Sequence, residues 1–391
     1  MKIAALTIYE LSIPLRVSFR HSLAERERSQ NIVVRVELED GTAGFGEGMP
    51  VPYVTGETVE DAVEAIGAHY FPAVRGRSFS GYEEVGKRLG SIQPVVAGQV
   101  CHTSAKCAFE LAVLDAFGKA FGRSVGTLGG LVELPAPRAA AARATYGVAL
   151  TADADWIRRK IGLLKLYGFR DFKLKVGIDA ETDRQVLSLV ARRLRRRLAR
   201  GRATLRVDAN GAYPDADTAF KALEPMVRLG VECVEQPMPS ERDGQVAGLA
   251  ERLGVPILLD ESVRTIDEAR ERLSAGARVG LNIRLSKNGG FFDSLRLAAL
   301  CRERGAPFQL GCHVGETGIL AAAQRHLLDW LPDARYVEGA FGTHLLDKDI
   351  VHRSVRVGYG GRPPRVGPIG LGIDVDERIL GKFLLNSRVL S

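Results

Sequence analysis

Residues 172–177 read FKLKVG, which sets Lys173 and Lys175 two apart in a stretch that otherwise has the character of a buried strand. Side chains two apart on a strand share a face, and burying an ammonium group is costly, so the pair needs a reason. The surroundings supply the first part of it. From about residue 144 onward, short β-branched runs recur with helical patterns between most of them: ATYGVAL, DFKLKVG, ATLRVDAN, VECVEQP, VPILLDES, VGLNIRLS, PFQLGC and ARYVEG. Strands alternating with helices predict a parallel sheet, and eight such units predict a closed α/β barrel.

Barrel enzymes assemble their sites at the C-terminal ends of the strands. The second to sixth runs carry Lys175, Asp208, Glu235, Asp260 and Lys287 near those ends, separated by 33, 27, 25 and 27 residues, each about one strand–helix unit. Asp208, Glu235 and Asp260 are then neighbours on the rim. Three crowded carboxylates repel one another unless a cation lies between them or each has its own arginine. An all-oxygen donor set suits a hard ion, Mg²⁺ before Mn²⁺. The second and sixth strands are four apart in a ring of eight, so Lys175 and Lys287 are expected to face each other across the mouth. Lys173 points the same way as Lys175, and its like charge favours a neutral, basic Lys175. The alternative is that these lysines are strand-end side chains reaching for solvent.

A base on each face of a bound molecule fits removal of a proton beside a carboxylate. The ene-diolate that forms needs concentrated positive charge at its two oxygens. Two bases allow racemisation or epimerisation. One base with a leaving group allows elimination or a lactonising cycloisomerisation.

The remaining sequence narrows the setting. The 391 residues are 46% hydrophobic and 26% charged, with a net charge of +7 and a pI near 9.2. Much of the basic excess lies in ARRLRRRLAR (191–200), where Leu194 and Leu198 are four apart, the pattern of an amphipathic helix with a solvated face. No aromatic or nucleic-acid motif accompanies it, so no nucleic-acid partner is expected, and a mild basic excess suits anionic small molecules. No apolar run is long enough for a membrane span and the N-terminus reads as a strand, so a soluble cytoplasmic protein with no membrane partner is expected. Cys101, Cys107, Cys233, Cys301 and Cys312 match neither a disulfide framework nor a zinc site and read as core thiols. Ahead of the barrel, NIVVRVELEDGTAGFGEG (31–48) alternates around an Asp-Gly turn, and SAKCAFELAVLDAFGKAFG (104–122) has helical spacing.

Taken together, KLK, VDAN, VEQP, LDES and RLSKNGG, in this order, resemble the enolase superfamily and its muconate-lactonising-enzyme subgroup, as do GFGEG and VEGAFGTHLLDKDIV. Use of a Lys or His base with Mg²⁺ to stabilise an ene-diolate is a known property of that superfamily. The resemblance implies an α/β protein with an N-terminal α+β capping domain (1–130), a modified TIM barrel of (β/α)₇β form carrying the active site (131–350), and a C-terminal segment (351–391) that packs back towards the cap. It implies Mg²⁺ on Asp208, Glu235 and Asp260, Lys175 and Lys287 as acid and base, and Lys173 neutralising the carboxylate of a small-molecule substrate. His313 lacks the acidic partner that a histidine base has in the mandelate-racemase branch, and is expected to line the pocket or support it. Capping loops 17–29 and 49–58 would supply His21, Arg26, Tyr53 and Thr55 as substrate contacts, with Glu316 after the seventh strand. The Asp-x-Asp pair of dipeptide epimerases is not evident near VEGAFGTHLL, which speaks against dipeptides. Racemase, epimerase and cycloisomerase outcomes remain open, beside a dehydratase alternative acting on a hydroxy acid or resembling succinylbenzoate synthesis, and a non-catalytic barrel that binds anions or nucleic acid. Members are usually oligomeric, which leaves a homo-oligomer possible.

Overall fold

The computed structural model describes residues 1–21, 24–137, 144–150, 153–273 and 278–391, with the backbone alone for 17–21, 24 and 25. The capping unit is an antiparallel sheet of β1 (Ile3–His21), β2 (Ala24–Leu38) and β3 (Ala43–Gly48). β2 and β3 meet at the Asp-Gly turn, where Gly41 takes φ 82° and its N–H donates to the Leu38 carbonyl at 2.9 Å. After α1 (Pro52–Thr55), α2 (Val59–Ala65), α3 (Tyr82–Gly90) and the short ribbon β4 (Val96–Ala97) and β5 (Val100–Cys101) comes the long α4 (Thr103–Ala120).

The glycines of GFGEG explain how α4 meets the sheet. Gly44, Gly46 and Gly48 share one face of β3, and a Cβ on them would lie 2.0, 2.1 and 2.2 Å from the backbone of α4 at Ala116, Ala108 and Ser104. Helix backbone rests directly on strand backbone, which only glycine permits. On the opposite face of β3, Glu47 turns towards the barrel.

The barrel is one parallel sheet of eight strands in chain order: β6 (Val148–Leu150), β7 (Asp171–Lys175), β8 (Thr204–Asp208), β9 (Val234–Glu235), β10 (Ile257–Leu259), β11 (Val279–Ile283), β12 (Phe308–Leu310) and β13 (Tyr336–Val337). It closes through a parallel bridge between Tyr146 and Val337. The first seven strands are followed by α5 (Ala154–Leu166), α6 (Ala180–Leu198), α7 (Ala216–Arg228), α8 (Val246–Leu253), α9 (Ile266–Arg272), α10 (Phe291–Arg304) and α11 (Gly318–Trp330). The eighth has only the four-residue α12 (Gly342–Leu345) after it, so the expected (β/α)₇β form is the one observed. The arginine run lies on α6, with Leu194 buried and Arg192, Arg193, Arg195 and Arg196 exposed. Four cysteines are buried, Cys312 is partly so, and all five are free. Among the described residues no helix is long and apolar enough to cross a membrane.

Beyond the barrel the chain forms α13 (Glu377–Lys382) and β14 (Leu384–Leu390), and β14 adds to β1 as the fourth strand of the cap sheet. Two buried carboxylates of the cap seat it on the barrel. Glu47 accepts hydrogen bonds from the Thr317 hydroxyl (2.6 Å), the Thr317 N–H (2.9 Å) and the Leu320 N–H (3.1 Å) at the start of α11. Glu110 accepts from the Phe291 N–H at 2.6 Å at the start of α10, and buried Lys106 bridges it to Asp293 at 3.0 and 2.9 Å. The N–H groups of a first helical turn have no partner within their own helix, so a carboxylate there fills a real vacancy and meets the positive end of the dipole. Glu110→Ala leaves those N–H groups without their acceptor and takes one of two carboxylates from Lys106, which keeps Asp293 and the Gly289 carbonyl. The expected loss is about 3–5 kcal/mol of stability in denaturant unfolding; a loss under about 1 kcal/mol would show that the seat carries little.

Candidate functional site

Strand register aligns the site before any side chain is considered. Lys175 on β7 pairs with Asp208 on β8, and Asp208 pairs with Glu235 on β9. Each is the last residue of its strand, and Asp260 follows β10 directly. The three acids therefore stand side by side at the C-terminal rim, all buried. The turns behind them are constrained: Asn210 and Gln236, just past β8 and β9, hold φ 45° and 33°, a conformation that costs non-glycine residues energy and clusters at functional sites. The strain has a use. Asn210 Oδ1 accepts from Lys175 Nζ at 2.6 Å, and Gln236 Oε1 accepts from the Asp260 N–H at 2.8 Å.

Lys173 occupies the interior below the rim. Its Nζ lies 2.6 Å from Glu338 Oε2, 3.1 Å from Glu235 Oε2 and 3.4 Å from Asp208 Oδ2. Burial opposes its charge, but Glu235, Glu338 and Asp208 outweigh burial and hold the ammonium above the usual lysine range. Lys175 sits on the solvent side of it, 2.6 Å from Asp208 Oδ2. Glu235 also accepts from Asn282 Nδ2 (2.8 Å) and Gln309 Nε2 (2.7 Å). Burial would raise its carboxyl, yet Lys173, with Arg206 and Arg284 beyond, brings it down to about 2. Glu338, just past β13, is likewise held down to about 2 against burial by Arg206, 2.7 Å away, and by Lys173.

Lys287 lies in the turn after β11, is 0% exposed, and its Nζ stands 3.1 Å from Asp260 Oδ1 while donating to the main-chain carbonyls of Asp260 and Asn282, both at 2.7 Å. Burial, then the charge of Arg284, pushes it well below the usual lysine range. Arg284, directly after β11, also reaches the acids: its guanidinium abuts Asp260 Oδ2 and lies 3.7 Å from Glu235 Oε1.

The donor set fits a hard divalent ion. It is all oxygen, and neither the Arg284 nor the Lys287 contact gives Asp260 a hydrogen bond, so both of its carboxylate oxygens are buried without a donor, as is Glu261 Oε2. In this structure Lys173, Lys175, Arg284 and Lys287 lie against the acids, and among the described residues no three His, Cys, Asp or Glu side chains are gathered around one point as a metal site.

The other expected contacts divide. His313, after β12, is buried with neither ring nitrogen hydrogen-bonded; burial, then Arg284, Arg26 and Lys287, holds it well below the usual histidine range, which puts Arg26 of the capping loop within electrostatic reach of the mouth. Glu316 accepts from the His313 N–H at 2.7 Å. Loop 49–58 docks on the turn after β11 through the Met49 N–H to Ser286 Oγ bond of 2.8 Å. Tyr53 on that loop is 39% exposed, and Thr55 is fully buried, hydrogen-bonded within its own loop to Val51 and Glu57. The side chain of His21 lies outside the described residues. Arg206, Gln309, Asn282, Arg284 and Glu338 were not anticipated. A period-two count back from Asp208 finds Arg206, and extending the strand-end register to the eighth strand finds Glu338.

Comparison with known proteins agrees with this geometry. Residues 3–130 match the family model of the mandelate racemase / muconate lactonizing enzyme N-terminal domain, and residues 156–379 match the enolase C-terminal domain-like model. An N-succinyl-L-Arg/Lys racemase of Bacillus cereus is 26% identical over 84% of each chain. An o-succinylbenzoate synthase of Geobacillus stearothermophilus is 29% identical over 97% of this chain and 95% of its own. The crystal structure of a muconate lactonizing enzyme from Pseudomonas fluorescens, complexed with muconolactone, superposes with a TM-score of 0.81 at 25% identity, covering 98% of this chain and 99% of that one.

Glu316 generates a pH dependence. Burial raises its carboxyl to about 8, from an ordinary value of 4.5. A raised acid stabilises the fold while protonated, so its contribution is complete below about pH 4.5 and is lost as pH climbs through 8. Between pH 6 and 9 the protein is expected to lose on the order of 2 kcal/mol that Glu316→Gln does not lose. Parallel stability–pH curves for the two proteins would refute this.

Proposed function

Because the chain belongs to the mandelate racemase / muconate lactonizing enzyme family of the enolase superfamily, we propose that it removes the proton α to the carboxylate of a small-molecule acid. Lys175 is the base. The observation that carries this reading is its placement: an ammonium side chain at the end of β7, 2.6 Å from Asp208, in register with the buried carboxylates of Asp208 and Glu235 on the next two strands, with buried Asp260 just past the third. Asp208, Glu235 and Asp260 would hold Mg²⁺, with Mn²⁺ as the second choice. When bound, the ion supplies positive charge where the ene-diolate oxygens become negative.

This chain's own residues do the rest. Lys173, kept charged by Glu235 and Glu338, sets a fixed positive charge beneath the substrate carboxylate. Asn210 and Asp208 hold Lys175 at the strand end. Arg26 and the loop that carries Tyr53 contribute to the lid side of the pocket, as does His313. The ene-diolate then resolves by racemisation, epimerisation or cycloisomerisation; dehydration through the same intermediate is the second reading, favoured by the likeness to an o-succinylbenzoate synthase.

Deuterium uptake tests the proposal. Purified protein with Mg²⁺ in D₂O, offered pooled N-acyl amino acids, hydroxy acids and muconates, is expected to label an α-carbon, and EDTA to stop the labelling. Lys175→Ala should lower the exchange rate about 10³-fold with an unchanged melting temperature. Exchange at the wild-type rate in that variant would remove Lys175 from the chemistry.

A further inference from the structure

Independently of the reaction, we propose that β14 is the interaction edge of the cap and pairs antiparallel with β14 of a second copy of this chain, about a two-fold axis at Ser387. β14 ends the four-stranded cap sheet and, among the described residues, pairs on one side only, with β1. Its other side is an open row of N–H and C=O groups. Natural sheets blunt such an edge with charge, proline, a bulge or a cover. β14 has a bulge, where Leu11 pairs with Leu384 and Glu10 with Asn386 so that Leu385 is passed over. It contains no proline and a single charged residue, Arg388. Six of its seven residues are exposed, with Leu384, Leu385 and Val389 at 38%, 66% and 66%. Three large apolar side chains on a bare strand edge mark a contact surface.

The strand's own sequence selects the partner. LLNSRVL (384–390) has nearly the same pattern in both directions: Leu384 and Leu390 at the ends, then Leu385 and Val389, then Asn386 and Arg388, with Ser387 at the centre. A two-fold contact between identical strands matches residue i with residue j and j with i. About Ser387 that matching sets Leu384 on Leu390, Leu385 on Val389 and Asn386 on Arg388, apolar on apolar and polar on polar. Charge agrees with it. The Asn386 side-chain amide donates to the Glu10 carboxylate at 2.9 Å, so Arg388 of the second copy arrives beside an acid. An axis at Arg388 would set arginine against arginine, and an axis at Asn386 would set Arg388 against Leu384; each also loses apolar pairs.

The surface lies away from the mouth. β14 pairs with Leu6–Leu11 of β1, whereas the capping loop is at the far end of β1 and β2, where His21 pairs with Ala24. Joining two caps at β14 therefore makes one continuous sheet from two four-stranded halves and leaves the capping loops free. Main-chain hydrogen bonds supply the attraction and the apolar pairs set the register. A seven-residue strand gives a contact at the small end of specific interfaces, so the dimer is concentration-dependent rather than permanent.

Sedimentation velocity over a range of concentrations, with charges placed on one matched pair, tests the register. Wild type is expected to pass from monomer to dimer as its concentration rises. Leu385→Lys/Val389→Lys sets like charges opposite each other at two places in the dimer and should weaken it about 100-fold. Leu385→Lys/Val389→Glu sets opposite charges there and should bring the affinity back to within about 10-fold of wild type. Both positions are exposed, so the three proteins should share one melting temperature. Ser387→Cys gives a second readout, because directly opposed residues of an antiparallel pair stand about 4.5–5.5 Å apart at Cα, within disulfide reach. Mild oxidation should link that variant into a dimer that dithiothreitol splits, and should not link wild type, whose cysteines are buried or partly so. A wild type that stays monomeric, a dimer that the two charge variants form equally, or one in which the Ser387→Cys thiols do not join overturns the proposal.

Discussion

A fully charged lysine inside a barrel is the constraint around which this mouth is arranged. Lys173 is 4% exposed, and an ammonium group there is tolerable only with several carboxylate partners. Glu235, Glu338 and Asp208 meet that need, and each is held in turn. Glu235 draws Asn282 and Gln309, Glu338 draws Arg206, and Asp208 draws Lys175. Acids from β8, β9 and the end of β13 are thereby tied to one cation on β7. The result is a lattice in which the charged side chains of the barrel mouth are fixed by a further layer of polar groups, as preorganised electrostatic sites require.

The cap depends on the same physics in a second place. Glu47 and Glu110 are buried carboxylates whose partners are the open N–H groups of α11 and α10. These two helices follow β12 and β11, the strands that lead to His313 and Arg284. Seating the cap and placing the mouth are therefore one problem in packing. The glycines of β3 let α4 lie against the sheet, which sets Glu110 and Lys106 on α4 within reach of α10.

Much of this was legible in the chain. Eight apolar runs, the acids at their ends and the Asp-Gly hairpin are local patterns, and local patterns survive folding. The residues that escaped notice share a different character. Arg206, Gln309 and Asn282 sit mid-strand among apolar neighbours, where a polar letter is ambiguous until the partner across the barrel is known. Glu338 ends the shortest of the strand signals. Thr55 and Tyr53, two residues apart on one capping loop, part completely, one buried and one exposed.

Lys287 and Arg284 mark the boundary. The order of strands, the all-oxygen donor set and the pairing of Lys173 with Lys175 follow from sequence alone, because strand alternation and strand-end position are properties of short segments. That both cations of RLSKNGG converge on Asp260 does not. Lysine at 287 fits the spacing between strand units as well as arginine at 284 does. The last residue of β11, the turn that follows it and the two carbonyls that capture Lys287 exist only once β10 and β11 have paired. How the cations are arranged at the mouth was thus decided by where a strand stops, which its neighbours in the sheet determine and a linear sequence does not.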